Sequence, residues 1–299
     1  MIYATQPPVA LIRENEFRIP SDRIATGIAL ATTADGNVVA LFDNPSCLIV
    51  WDNVGHFIGE FGGSPNDFFT PTDISCDGGM ELIISDPFLQ NRIIRFNRHL
   101  EQLSPIILDV GDERFEPRSL CRTRDGTLLI LNQADGDVYR LGPDGRAIPF
   151  QHSYHRALNN HPTHIAYVAD LNRVVVLAGH QLIICTPFGK YIQEIHTGFD
   201  NPTGIGVGRN EIWIVGAGLV CIKLTNYSDD GQECPPSPNY REHHRSYRYL
   251  VPSDSLIAWD IFPCKDVLPV SEDELFLLPA NGGRVVMMKI IRKPNRLNR

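Results

Sequence analysis

The chain has 299 residues, 43% apolar and 21% charged, an ordinary composition for a globular protein and enough chain to bury a large core. No apolar run approaches the roughly 20 residues of a membrane-spanning helix, so no transmembrane segment is expected. A net charge of −8 argues against a protein that grips nucleic acid over its whole surface.

The opening residues, MIYATQPPVALIRENEF, lack a basic segment followed by an apolar one, which is the pattern of a secretory signal. If Met1 is the native start, a cytoplasmic location is expected. Seven cysteines at positions 47, 76, 121, 185, 221, 234 and 264 contain no C-x-x-C pair. Odd in number and mostly beside apolar runs, they read as small buried hydrophobes in a reducing compartment rather than as a disulfide framework.

Taken in order, the chain repeats one set of signals about every 45 residues. An opening strand begins at Thr26-Gly27-Ile28, Pro71-Thr72-Asp73-Ile74, Pro117-Arg118-Ser119-Leu120, Pro162-Thr163-His164-Ile165, Pro202-Thr203-Gly204-Ile205 and Pro263-Cys264-Lys265-Asp266-Val267. A turn follows each, for example Asp35-Gly36, Gly78-Gly79 and Asp125-Gly126. Next comes a short apolar run suited to a strand buried on both faces: Val38–Leu41, Leu82–Ile84, Thr127–Leu131, Val174–Leu177, Ile212–Val215 and Leu275–Leu278. A third strand follows each of these. A more polar fourth, such as His56–Phe61 or Tyr191–His196, suits an outer edge.

Six units of four antiparallel strands predict an all-β fold, a six-bladed β-propeller. Its sixth unit lacks an outer strand at the C-terminus, and Leu11–Ile19 is expected to supply it and close the ring. Residues 1–290 are then one propeller domain, with an insertion at 225–247 in blade five and a basic tail at 291–299. If Arg248–Val251 is the outer strand, that insertion decorates the rim opposite the channel mouth.

The stretch FIGEFGGSPNDFFTPTDISCDGGMELIISDPFLQNRIIRF, residues 57–96, resembles the NHL repeat, and the likeness extends over roughly residues 25–290. The resemblance implies a propeller that serves as a platform for protein or RNA. Similar six-bladed rings also host metal-dependent lactonases of the gluconolactonase type and peptide-amidating lyases, so the fold leaves function open.

Three groups of residues are candidates for chemistry. The aligned position of the opening strands holds Gly27, Asp73, Ser119, His164, Gly204 and Asp266. Asp73, His164 and Asp266 fall on alternate blades and would suit a divalent metal ion in the channel. The plainer expectation is that both carboxylates accept hydrogen bonds from neighbouring backbone. The gluconolactonase-like ion ligands do not map onto these residues.

The second group is the histidine set His152, His155, His161 and His164, which with Arg118 would suit an anionic ligand at the mouth. The third is basic and aromatic: Tyr240, Arg241, His243, His244 and Arg245 in the insertion, and Arg292, Lys293 and Arg296 in the tail. These suit a protein partner, with RNA or an anionic membrane surface as further possibilities. The leading expectation is a non-catalytic protein-binding platform. The alternatives are a metal-dependent hydrolase or lyase and an RNA-binding propeller.

Overall fold

The structure is a computed structural model that describes residues 9–20, 25–62, 68–76, 81–89, 92–109, 114–142, 145–150, 161–209, 211–216, 218–227, 243–251, 263–280 and 283–292. Six four-stranded antiparallel sheets follow one another around a central axis. Their inner strands are Thr26–Thr32, Asp73–Cys76, Pro117–Arg122, Pro162–Val168, Gly204–Val207 and Cys264–Pro269. Each contacts the next in cyclic order, and the sixth returns to the first.

The second strands are the apolar runs expected from sequence, and their alternation explains why they are apolar throughout. In blade one, Val38, Ala40 and Phe42 pack toward blade six, while Val39 and Leu41 pack toward blade two. The same division recurs around the ring, giving six core clusters, each shared by two neighbouring sheets. A strand buried on both faces leaves no position for a polar side chain.

The ring closes where sequence predicts. Val9–Arg18 pairs antiparallel with Arg284–Arg292 and forms the outer strand of blade six. Phe17, 1% exposed, packs against Trp51 of blade one and Phe276 of blade six at 6.3 and 5.3 Å between ring centroids. The Trp51 indole N–H donates to the Arg18 carbonyl at 3.1 Å. The closing strand is therefore wedged between two blades.

Blade five departs from expectation. His243–Val251 pairs with Leu219–Tyr227 along its whole length, with Tyr227 opposite His243. His243, His244 and Arg245 thus belong to the outer strand and not to an inserted loop, because the hairpin ladder runs on past the point where its neighbours turn. Tyr240 and Arg241 lie outside the described residues, as do Lys293 and Arg296. Arg292 ends the third strand of blade six, opposite Val9. Among the described residues no helix is long and apolar enough to cross a membrane.

Phe17→Ala should cost about 3–5 kcal/mol of stability in urea unfolding, the range for truncating a buried aromatic. Ile58→Ala, on the exposed outer strand of blade one, should change it by no more than about 0.5 kcal/mol.

Candidate functional site

The inner strand of each blade is the edge of its sheet, so half of its backbone N–H groups point into the channel without a ladder partner. Strand register identifies equivalent positions. Ser119, His164 and Asp266 each follow a bulge and pair with a leucine of the second strand, Leu131, Leu177 and Leu278. In blade one that place belongs to Ala29, paired with Leu41, because the bulge falls between Gly27 and Ala29. The sequence alignment, which put Gly27 there, is two residues out of register.

The amides one residue further on, Leu30, Ile74, Leu120, Ile165, Ile205 and Val267, form a ring. Three side chains serve five of them. Asp73 accepts from its own neighbour Ile74 N–H at 2.8 Å and, across the blade boundary, from Leu120 N–H at 3.0 Å and the Ser119 hydroxyl at 2.6 Å. Ser119 Oγ then accepts from Ile165 N–H of blade four at 3.1 Å. Asp266 accepts from Val267 N–H and, across the seam that closes the ring, from Leu30 N–H, both at 2.8 Å. Where the preceding blade offers only Ala29 or Gly204, the following aspartate serves its own strand. The sixth, Ile205 N–H, lines the same channel, and among the described residues no side chain accepts from it.

A second tier lies one residue nearer the mouth. The Thr72 hydroxyl donates to the Arg118 carbonyl at 2.5 Å, and the Thr203 hydroxyl to the Cys264 carbonyl at 2.6 Å, each reaching the next blade. At Gly206 the neighbouring strand comes so close that a Cβ would sit 2.0 Å from the Val267 carbonyl oxygen. The channel inside these tiers encloses about 220 Å³.

This arrangement gives the metal reading no support. Asp73, His164 and Asp266 do line one cavity. Among the described residues, however, no three His, Cys, Asp or Glu side chains are grouped to hold an ion. The physical reason is that both oxygens of each aspartate are already engaged by N–H and O–H donors, and His164 Nδ1 sits 3.0 Å from the Thr163 hydroxyl. The anion reading is also weakened. Arg118 directs Nη1 to Gln133 at 3.0 Å and Nε to the Thr163 carbonyl at 3.2 Å, tying blade three to blade four. His161 is exposed and packs beside Gly136, and His155 lies outside the described residues.

Burial sets the protonation of the channel. It pushes Asp73 up to about 6 against the pull of its donors and of Arg118, and Asp266 rises well above the usual range, with Asp73 adding to the effect. Burial and the Arg118 charge hold His164 down at about 4. The described cysteines are thiols, five of them buried, and burial pushes Cys185 and Cys264 up to about 12, as suits small core hydrophobes.

On the mouth rim of blade two the structure shows a feature that sequence reasoning missed. Phe69 and Phe88 stack with ring centroids 4.6 Å apart, yet they are 43% and 63% exposed. Both loops are held by one fully buried carboxylate, Asp86. It accepts from Phe69 N–H at 2.8 Å, from Thr70 N–H at 3.2 Å and from Phe88 N–H at 3.1 Å. The adjacent Phe68 turns inward and anchors the loop against Phe61 and Phe96. A signal was present: in the Phe68-Phe69 doublet, only one ring can face the core.

No protein-family model matches the chain, and no curated protein sequence matches it. Solved structures do. A streptogramin B lyase is 13% identical, with a TM-score of 0.59 over 96% of this chain and 100% of that one. A catalytically inactive virginiamycin B lyase from Staphylococcus aureus with quinupristin is 12% identical, with a TM-score of 0.61 over 95% and 100%. YCF48 bound to D1 peptide is 11% identical, with a TM-score of 0.55 over 97% and 99%. At these identities the likeness establishes the propeller fold and nothing finer.

The channel charges predict opposite pH slopes. A raised Asp73 keeps its proton in the folded state, so its contribution to stability falls as pH rises from about 4 to 6. A lowered His164 resists protonation, so its contribution falls as pH drops from 6.5 toward 4. Relative to the parent, Asp73→Asn should gain stability as pH rises through this window and His164→Gln should lose it. Each change should be about 1–2 kcal/mol after allowance for channel water, read by urea unfolding at a series of pH values.

Proposed function

We propose that this protein is a non-catalytic, protein-binding propeller whose partner seats on the mouth rim over Phe69 and Phe88. The observation that carries this reading is the rigid presentation of two exposed, stacked phenylalanines by a fully buried aspartate. Large aromatic side chains fixed in place lose little entropy on binding and are the usual anchors of interfaces. The use of the channel's acids in joining blades supports it further, since it leaves the outer surfaces for recognition. Among the structural neighbours, YCF48 is a propeller with a bound peptide, which favours a binding role, whereas the two lyases are enzymes on the same scaffold. In this reading residues 1–290 act as one ring, and residues 228–242 and the basic tail add contacts around it.

The test is quantitative capture from native extract by wild-type protein and by a Phe69→Ser/Phe88→Ser double variant. Specific partners should be retained by the wild type and weakened at least about tenfold by the variant, as expected for interface anchors. Its thermal midpoint should shift little, because both rings are exposed. Identical capture by the two proteins would count against the reading.

A further inference from the structure

We propose that a trough on the face opposite the channel mouth, running beneath blades two to four, binds acidic peptide segments. Two cavities of about 520 and 560 Å³ lie side by side there and share Asp125. Arg95 and Arg122 line the first, and Arg124, Arg140, Asp170 and Phe188 line the second.

The charge balance of the trough is the reverse of that of the whole chain, which is −8. Most acids at its margins are already committed. Glu81 takes a bidentate ion pair from Arg95, at 2.6 and 2.8 Å. Asp170 lies 3.5 Å from Arg209, which also reaches Glu272 at 3.0 Å. Of the trough's other arginines, Arg122 and Arg124 make no ion pair among the described residues, and Arg140 lies within electrostatic reach of Asp125 alone. Arg124 is exposed. Arg122 donates only to the Gly126 carbonyl, and the Nε atoms of Arg122 and Arg140 are buried without a hydrogen-bond acceptor. Asp125, hydrogen-bonded by Thr123 and Thr127, is the carboxylate common to both cavities.

Shape and apolar surface narrow the class of ligand. Phe188 is 61% exposed, and the Arg140 guanidinium lies 4.5 Å from its ring centroid. That stack holds the cation in place beside an apolar platform. A peptide carrying Asp or Glu next to an apolar residue would satisfy both, its carboxylates meeting guanidinium forks and its side chain covering the ring. Asp125 can accept a peptide N–H. A phosphate backbone has no N–H to offer Asp125 and would only be repelled by it, which favours peptide over nucleic acid.

This site is independent of the mouth-rim reading, and its test separates the two. Full-length protein is titrated into fluorescein-labelled short peptides drawn from a pool restricted to Asp, Glu, Leu, Phe and Gly. A matched pool with Asn and Gln, and labelled oligouridylate, serve as comparisons. The acidic pool should bind in a salt-sensitive manner and more tightly than either comparison. Arg124→Ala combined with Arg140→Gln should weaken binding about tenfold, as loss of charge-assisted contacts does. Phe188→Ala should weaken it too, and Phe69→Ser/Phe88→Ser should leave it unchanged. Arg124→Glu alone, at an exposed position, keeps the test readable if the double arginine variant folds poorly. Equal binding of acidic and neutral pools, tighter binding of oligouridylate, or indifference to the arginine variants would overturn the proposal.

Discussion

An open sheet edge facing a narrow channel leaves backbone N–H groups that must find acceptors, and the rest of this structure depends on how they do so. A buried amide without a partner costs about 1–3 kcal/mol. Six of them converge on one axis here. The chain meets the need at five of the six with three short side chains, Asp73, Ser119 and Asp266, each of which reaches from one blade to an amide of the next. The bonds that satisfy these edges therefore also tie together three of the six pairs of neighbouring blades. Apolar packing between blades supplies bulk cohesion, while these bonds fix the centre.

In this chain both oxygens of both aspartates are spent on protein donors, and the remaining polar residue, His164, is held neutral by burial and Arg118. Exposed aromatic and basic groups lie on the rims. There the structure offers two chemically different features, a stacked phenylalanine pair at the mouth and an arginine-lined trough on the opposite face.

The architecture was legible because it rests on patterns the backbone enforces. Runs such as Val38–Leu41 and Val174–Leu177 are apolar throughout because alternate residues face different blades, and a period of 45 residues counts those runs. The closing strand was legible because blade six ended one strand short. The centre was harder to read. Asp73 and Asp266 look alike to a ligand-spacing argument and to a backbone-satisfaction argument, and only register shows that the next blade's amide lies within reach. The bulge between Gly27 and Ala29 displaced the alignment for the same reason, since a bulge adds a residue without adding a signal. The rim features were legible only in part, since the Phe68-Phe69 doublet marks one outward ring but not its partner. Phe69 with Phe88, and Arg124 with Phe188, are brought together by turns from different strands or different blades.

The central claim is that channel side chains hold the ring's amides, and amide hydrogen exchange tests it most directly. Protection should be measured at Leu30, Leu120 and Ile165 in the parent and in Asp266→Ala, Asp73→Ala and Ser119→Ala. The account predicts that Leu30 loses protection selectively in the first variant, Leu120 in the second and Ile165 in the third. Parent amides that already exchange freely, or that keep their protection when the facing side chain is removed, would contradict it.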